Sequence, residues 1–175
     1  NFNYQPYFNW DSEKLLQNIS DYVRDGNAFV MTGGDLSFDL GKYSDTPIEK
    51  ILPVRIGLEN QMSSDDKFIP KLTKDGIHHP ITQLKASPEE SQKIWNTLPQ
   101  MDGYNRNLGL QSDSAALLVH PTDKNRRSKM PILAIREVGK GRVMSLGVDA
   151  SWRWSFSEGV EVESNQAYLR FWKNC

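Results

Sequence analysis

Five groups of residues in this chain could do chemistry. Asp149, Trp152 and Arg153 lie in the run from Gly147 to Phe156, GVDASWRWSF. A carboxylate and a guanidinium flanked by indoles can hold a polar ligand between aromatic walls. The same residues can instead close on each other, as a buried Asp149–Arg153 pair with tryptophans packed over it. Gly33-Gly34-Asp35 follows the apolar run Ala28 to Met31. Such a turn can offer backbone N–H groups to an anion or carboxylate, or it can be a tight strand exit that needs no ligand. The three histidines fall in His78-His79-Pro80 and His120-Pro121. Adjacent residues on a strand face opposite ways, and no helical His-x-x-x-His spacing is present, so we expect no metal site and no cofactor. Ser37 sits in no Gly-x-Ser-x-Gly elbow. The one cysteine, Cys175, is the last residue, a poor place for a pre-organised nucleophile. No catalytic residue is expected.

These groups need elements to position them. Leu15, Leu16, Ile19, Tyr22 and Val23 share one face of a helix over residues 12–25. Asp11 or Ser12 can cap its start and Gly26 can end it. Ala28 to Met31 reads as a parallel strand covered on both faces. Pro47 opens a short helix through Lys50, and a strand lies near Lys67 to Leu72 within a polar, irregular stretch. Ser87-Pro88-Glu89-Glu90 is a capping box with proline at the first helical position. Its helix should run to Thr97 and bury Ile94 and Trp95. Residues 101–111 read as a loop, either ordered by Tyr104 in the core or folded over the sheet edge of Gly33-Gly34 through Tyr104-Asn105, and Ala115 to Val119 as a buried strand. Ile132 to Glu137 and Arg142 to Val148 form a hairpin around Val138-Gly139-Lys140-Gly141. A basic connection spans 124–129, a charged loop 159–164 and a last helix 166–173.

With 175 residues, 21 basic and 22 acidic side chains, the chain suits one α/β domain with a real core and carries a net charge of −1. That balance argues against a nucleic-acid or acidic-membrane surface. No apolar run has the length of a membrane span. A single cysteine excludes an internal disulfide and leaves the compartment open.

Three words carry a resemblance: Gly33 to Phe38 (GGDLSF), Tyr43 to Val54 (YSDTPIEKILPV) and Gly147 to Phe156. In this order they resemble the glutamine amidotransferase-like family, a branch of the class I amidotransferase superfamily, from about Tyr4 to Trp172. The resemblance implies a flavodoxin-like, three-layer α/β fold with a mostly parallel sheet and a C-terminal antiparallel hairpin. Ligands of such sheets bind at the carboxyl ends of the strands. Class I enzymes use a cysteine on a strand-to-helix elbow and a later His-x-Glu. Here the elbow reads Met31-Thr32-Gly33-Gly34-Asp35, and Ser151 and Arg153 fall near the His and Glu positions. The His-Pro word is shared with the family, and we read it as a loop anchor.

The expectation is therefore a non-catalytic branch without glutaminase activity, which binds an unknown small ligand or a protein partner. Its ligand residues would be Gly33, Gly34, Asp35, Asp149, Trp152 and Arg153. The alternative is a hydrolase using Asp35, Asp149 and Arg153 with a histidine, which requires those groups to converge in one pocket. The family also implies that residues 1–175 are one domain of a longer polypeptide, with early βα units missing or supplied by another chain. The domain would then expose an unpaired strand, which self-associates or pairs with the missing N-terminal segment. Relatives sit beside von Willebrand A-type domains and membrane helices, which implies the soluble part of a bacterial membrane-anchored protein.

Overall fold

The computed structural model describes residues 12–57, 63–125, 128–156 and 162–175. Helix α1, Ser12–Arg24, leads into strand β1, Ala28–Thr32. It stops where the Gly26 N–H donates to the Val23 carbonyl at 2.9 Å. Leu16 and Val23 bury as the helical spacing predicts, but Tyr22 faces solvent. Asp11, one of the two expected caps, lies outside the described residues.

Residues 33–53 then form a long loop of consecutive turns, in which the expected Pro47 helix is absent. The loop is nonetheless packed: Phe38, Ile48, Ile51 and Leu52 are all buried. Arg136 fastens it to the sheet by donating to the carbonyls of Lys50 at 2.7 Å and Leu52 at 3.3 Å. After it come β2 (Val54–Arg55), β3 (Ser63–Phe68), β4 (Lys71–Leu72) and the short helix α2 (Lys74–His78). Helix α3, Pro88–Thr97, starts as its capping box predicts, with the Ser87 hydroxyl accepting from the Glu90 N–H at 3.1 Å. Ile94 and Trp95 bury beneath it.

The stretch expected to be a loop contains strands β5 (Met101–Asn105) and β6 (Gly109–Leu110). β5 pairs antiparallel with β3, and β6 with β2. Strands β7 (Ser114–Lys124), β8 (Lys129–Val138) and β9 (Gly141–Leu146) complete the strand set. The chain continues through α4 (Arg153–Phe156) and α5 (Val162–Asn174). The predicted hairpin is β8–β9, turned by Gly139 and Lys140, with Val138 opposite Gly141.

The main sheet has the order β1-β9-β8-β7-β4. It is mixed rather than mostly parallel: β1–β9 is its one parallel pair among the described residues, and the other three pairs are antiparallel. The reason is local. β7, β8 and β9 follow one another through short connections, which only antiparallel neighbours allow. β1 also departs from expectation, because it is not covered on both faces: Val30 is 41% exposed.

Two apolar clusters flank the sheet. One gathers Trp95, Trp154 and Phe171 with Leu117, Leu133 and Leu146. The other joins α1 to the long loop through Leu16, Val23, Met31, Ile48 and Leu52.

Candidate functional site

The parallel pair β1–β9 fixes the geometry of the site. Thr32 lies opposite Leu146 at the carboxyl ends of both strands. The chain leaves them side by side, as Gly33-Gly34-Asp35 and as Gly147-Val148-Asp149. The Gly33 N–H donates to the Val148 carbonyl at 3.2 Å. A β-carbon on Gly33 would stand 2.6 Å from the Gly147 oxygen, so the two exits touch backbone to backbone. Only glycine permits that approach.

Asn105, at the end of β5, locks the junction. Its side-chain Oδ1 accepts from the Gly34 N–H at 2.7 Å, and its Nδ2 donates to the Gly34 carbonyl at 3.1 Å. Its own N–H donates to the Gly147 carbonyl at 2.7 Å. The Asn105 side chain is buried, as three bonds of this kind require. The N–H groups of Gly33 and Gly34, which the sequence offered to an anion, are thus already engaged by the protein.

Beside this junction lies a crevice of about 170 Å³ lined by Gly34, Asp35, Asp65, Asp102, Tyr104 and Asp149, among others. Of the six residues predicted to bind ligand, Gly34, Asp35 and Asp149 line it. Gly33 supports it from behind. Arg153 does not pair with Asp149. Its guanidinium instead meets Asp102, a crevice residue, at 2.5 Å, and lies 5.3 Å from the centre of the Trp152 ring. Trp152 is 47% exposed, whereas Trp154 is fully buried between Trp95 and Phe171. The indoles therefore do not form two walls around one ligand: one faces water and the other is core.

No histidine lines the crevice. His79 caps the 3₁₀ turn Pro80–Thr82, its Nδ1 accepting from the Ile81 N–H at 3.2 Å. Burial lowers its pKa and keeps the ring neutral. This is the loop-anchor role read from the His-Pro word. Among the described residues no cluster of three or more histidines, cysteines or carboxylates is arranged to hold a metal ion. Cys175 donates to the Phe171 carbonyl at 3.2 Å, and desolvation pushes its thiol up to about 11, so it carries no thiolate at neutral pH.

The word Tyr104-Asn105, read as a loop that could fold over this sheet edge, does reach the crevice, although in a strand rather than a loop. The crevice carboxylates Asp102 and Asp65 were not singled out from sequence. Asp102 and Asp65 stand in the two-stranded ribbon β3–β5, which carries no hydrophobic alternation to mark it. The ribbon is held from behind: the Tyr104 hydroxyl donates to Asp123 at 2.6 Å, and Arg106 pairs with the same carboxylate at 3.2 Å. Burial, followed by the Asp123 contact, raises the Tyr104 pKa well above the usual phenol value.

A crevice at the carboxyl edge of a parallel strand pair, in a mixed α/β chain with a C-terminal antiparallel hairpin, is consistent with a glutamine amidotransferase-like fold. The chain belongs to the GATase1_like family, described as "Putative glutamine amidotransferase", whose model matches residues 6–175. Among solved structures it is similar to Cytoplasmic Protein STM1381 from Salmonella typhimurium LT2, at 26% identity and a TM-score of 0.64, covering 91% of this chain and 58% of that one. It is also similar to Cytoplasmic Protein STM3548 from Salmonella typhimurium, at 20% identity and a TM-score of 0.67, covering 98% of this chain and 63% of that one. The chain thus spans about three fifths of the length of these two proteins. No protein with a curated description matches it. No helix among the described residues is long and apolar enough to cross a membrane.

Proposed function

We propose that this chain is a non-catalytic amidotransferase-like module that binds a small polar ligand at the crevice between Asp35 and Asp149. The observation that carries this reading is the Asn105–Gly34 lock. It occupies the strand exit where the family's elbow would hold a nucleophile, and it takes the Gly34 N–H, while the Gly33 N–H is held by the Val148 carbonyl, so neither is left for an oxyanion. The hydrolase alternative needed Asp35, Asp149, Arg153 and a histidine in one pocket. Two carboxylates meet there, the arginine is taken by Asp102, and the histidines lie elsewhere. With Asp35, Asp65, Asp102 and Asp149 against one guanidinium, the crevice suits a ligand that donates hydrogen bonds, such as an amine, an amide or a polyol.

The test is a thermal-shift titration with amines, polyols and glutamine. A ligand that binds only the folded chain raises its melting temperature by mass action. A concentration-dependent rise that Asp149→Asn removes supports the reading, whereas ammonia release from glutamine above background would overturn it.

A second observation supports an interaction role, within a domain that is part of a longer polypeptide. Helix α1 feeds directly into a parallel strand, as the second half of a strand–helix–strand unit does. The first strand of such a unit lies parallel in the same sheet. β9 takes one side of β1, and the other side has no partner among the described residues. Apolar grooves flank that edge, one lined by Leu15, Leu16, Ile19 and Met31, the other by Val30, Ile81, Ile135 and Met144. We read the edge as the seat of a parallel strand contributed by a preceding segment. The further reading, that the longer protein is membrane-associated, rests on the family resemblance alone.

A further inference from the structure

The ribbon wall of the crevice is fastened at a point that titrates. His120 lies in β7 and is 4% exposed. Its ring is flanked by Phe68, with centroids 4.4 Å apart, and by Tyr104, at 4.9 Å. Its Nδ1 accepts from two backbone donors, the Asp123 N–H at 2.7 Å and the Thr122 N–H at 3.3 Å. Accepting at Nδ1 places the ring proton on Nε2, and the buried Nε2 has no hydrogen-bond partner. The ring therefore has a single useful state here. As a neutral acceptor it holds the irregular part of β7 between Val119 and Lys124, and that segment aims the Asp123 carboxylate at Tyr104 and Arg106.

We propose that His120 is an acid-sensitive latch on the crevice wall, which holds the irregular Asp123 segment of β7, and through it Tyr104, only while its Nδ1 is unprotonated. A proton on Nδ1 turns the acceptor into a donor facing two backbone N–H groups, so that segment must shift or the ring must leave. Either movement frees Asp123 from Tyr104, which lines the crevice, and loosens the strand that ends at Asn105. His120 is thus a positioning residue, acting on the site through Asp123.

The groups that face the ring pull in both directions. Asp123 on its own strand and Asp66 on β3 favour charging, whereas burial and Arg106 oppose it, and burial is the largest cause. The net effect lowers the folded-state value below the ordinary 6.5. A lowered histidine value means that the unfolded chain binds the proton more readily. Stability is therefore complete above the ordinary value and declines as the pH falls through it. Only the consequence for ligand affinity rests on the proposed binding role; the latch itself does not.

The experiment is nuclear magnetic resonance of the whole chain without ligand, from about pH 7.5 to about pH 5, the range in which histidine changes charge. Imidazole nitrogen shifts should show the proton on Nε2 at the upper end. The Thr122 and Asp123 amides should lose roughly tenfold more protection than the β8–β9 amides as pH falls, about 1.4 kcal/mol. In His120→Asn, whose side-chain oxygen can replace Nδ1 without titrating, this excess loss should vanish. A proton on Nδ1 at neutral pH would overturn the proposal, as would equal loss in both amide sets of the unaltered chain. The nitrogen shifts need no variant, and none of these readouts depends on a ligand, so they stand apart from the thermal-shift test.

Discussion

The two flanks of the main sheet are finished differently. Under α3, α4 and α5, Trp95, Trp154 and Phe171 meet edge to face at 5.5, 5.8 and 6.0 Å. Each is at most 1% exposed. At the β1 edge, Val30 is open and grooves of about 250 and about 600 Å³ run along either side of the strand. The first flank closes with residues of this chain. The second presents an apolar strand free of charge and proline, without the protections natural edges carry. The aromatic flank is thus closed, whereas among the described residues the β1 flank is left open.

Substitutions can break or sharpen this contrast. Trp154→Ala should have the largest effect, about 3–5 kcal/mol of stability in chemical denaturation, because it empties a fully buried site. A loss below about 1 kcal/mol would mean that the aromatic flank is not the keystone claimed here. Asn105→Ala should cost about 1–3 kcal/mol, since it strands the N–H and carbonyl of Gly34, and it should also abolish the ligand-dependent thermal shift. Val30→Lys should change the stability of the 175-residue chain by no more than about 0.5 kcal/mol. In the longest natural polypeptide containing the chain, the same change should raise β1 amide exchange. A large effect in the short chain would show that the edge is already in use.

The sequence was legible where one short stretch determines its own structure. Ser87 to Glu90 announces a helix start, Val138 to Gly141 a hairpin, and the two glycine words a pair of adjoining strand exits. It was opaque where structure comes from pairing across long separations. Met101 to Asn105 contains aspartate and glycine, poor strand formers, and becomes β5 only because β3 lies beside it. The Asn105 lock spans 71 residues and leaves no local pattern. Arg153 shows the same limit: Asp149 is nearer in sequence, but Asp102 is the carboxylate that the ribbon delivers.

The contact between the two strand exits also bears on how this branch could change over time. Gly33 has no room for a β-carbon, and Gly34 holds φ at +132°, a conformation that disfavours any other residue. Neither position can accept a cysteine unless the ends of β1 and β9 first move apart and Asn105 gives up its hold. A cysteine at either glycine is therefore not one substitution away, because accepting it requires the ends of two neighbouring strands to move together.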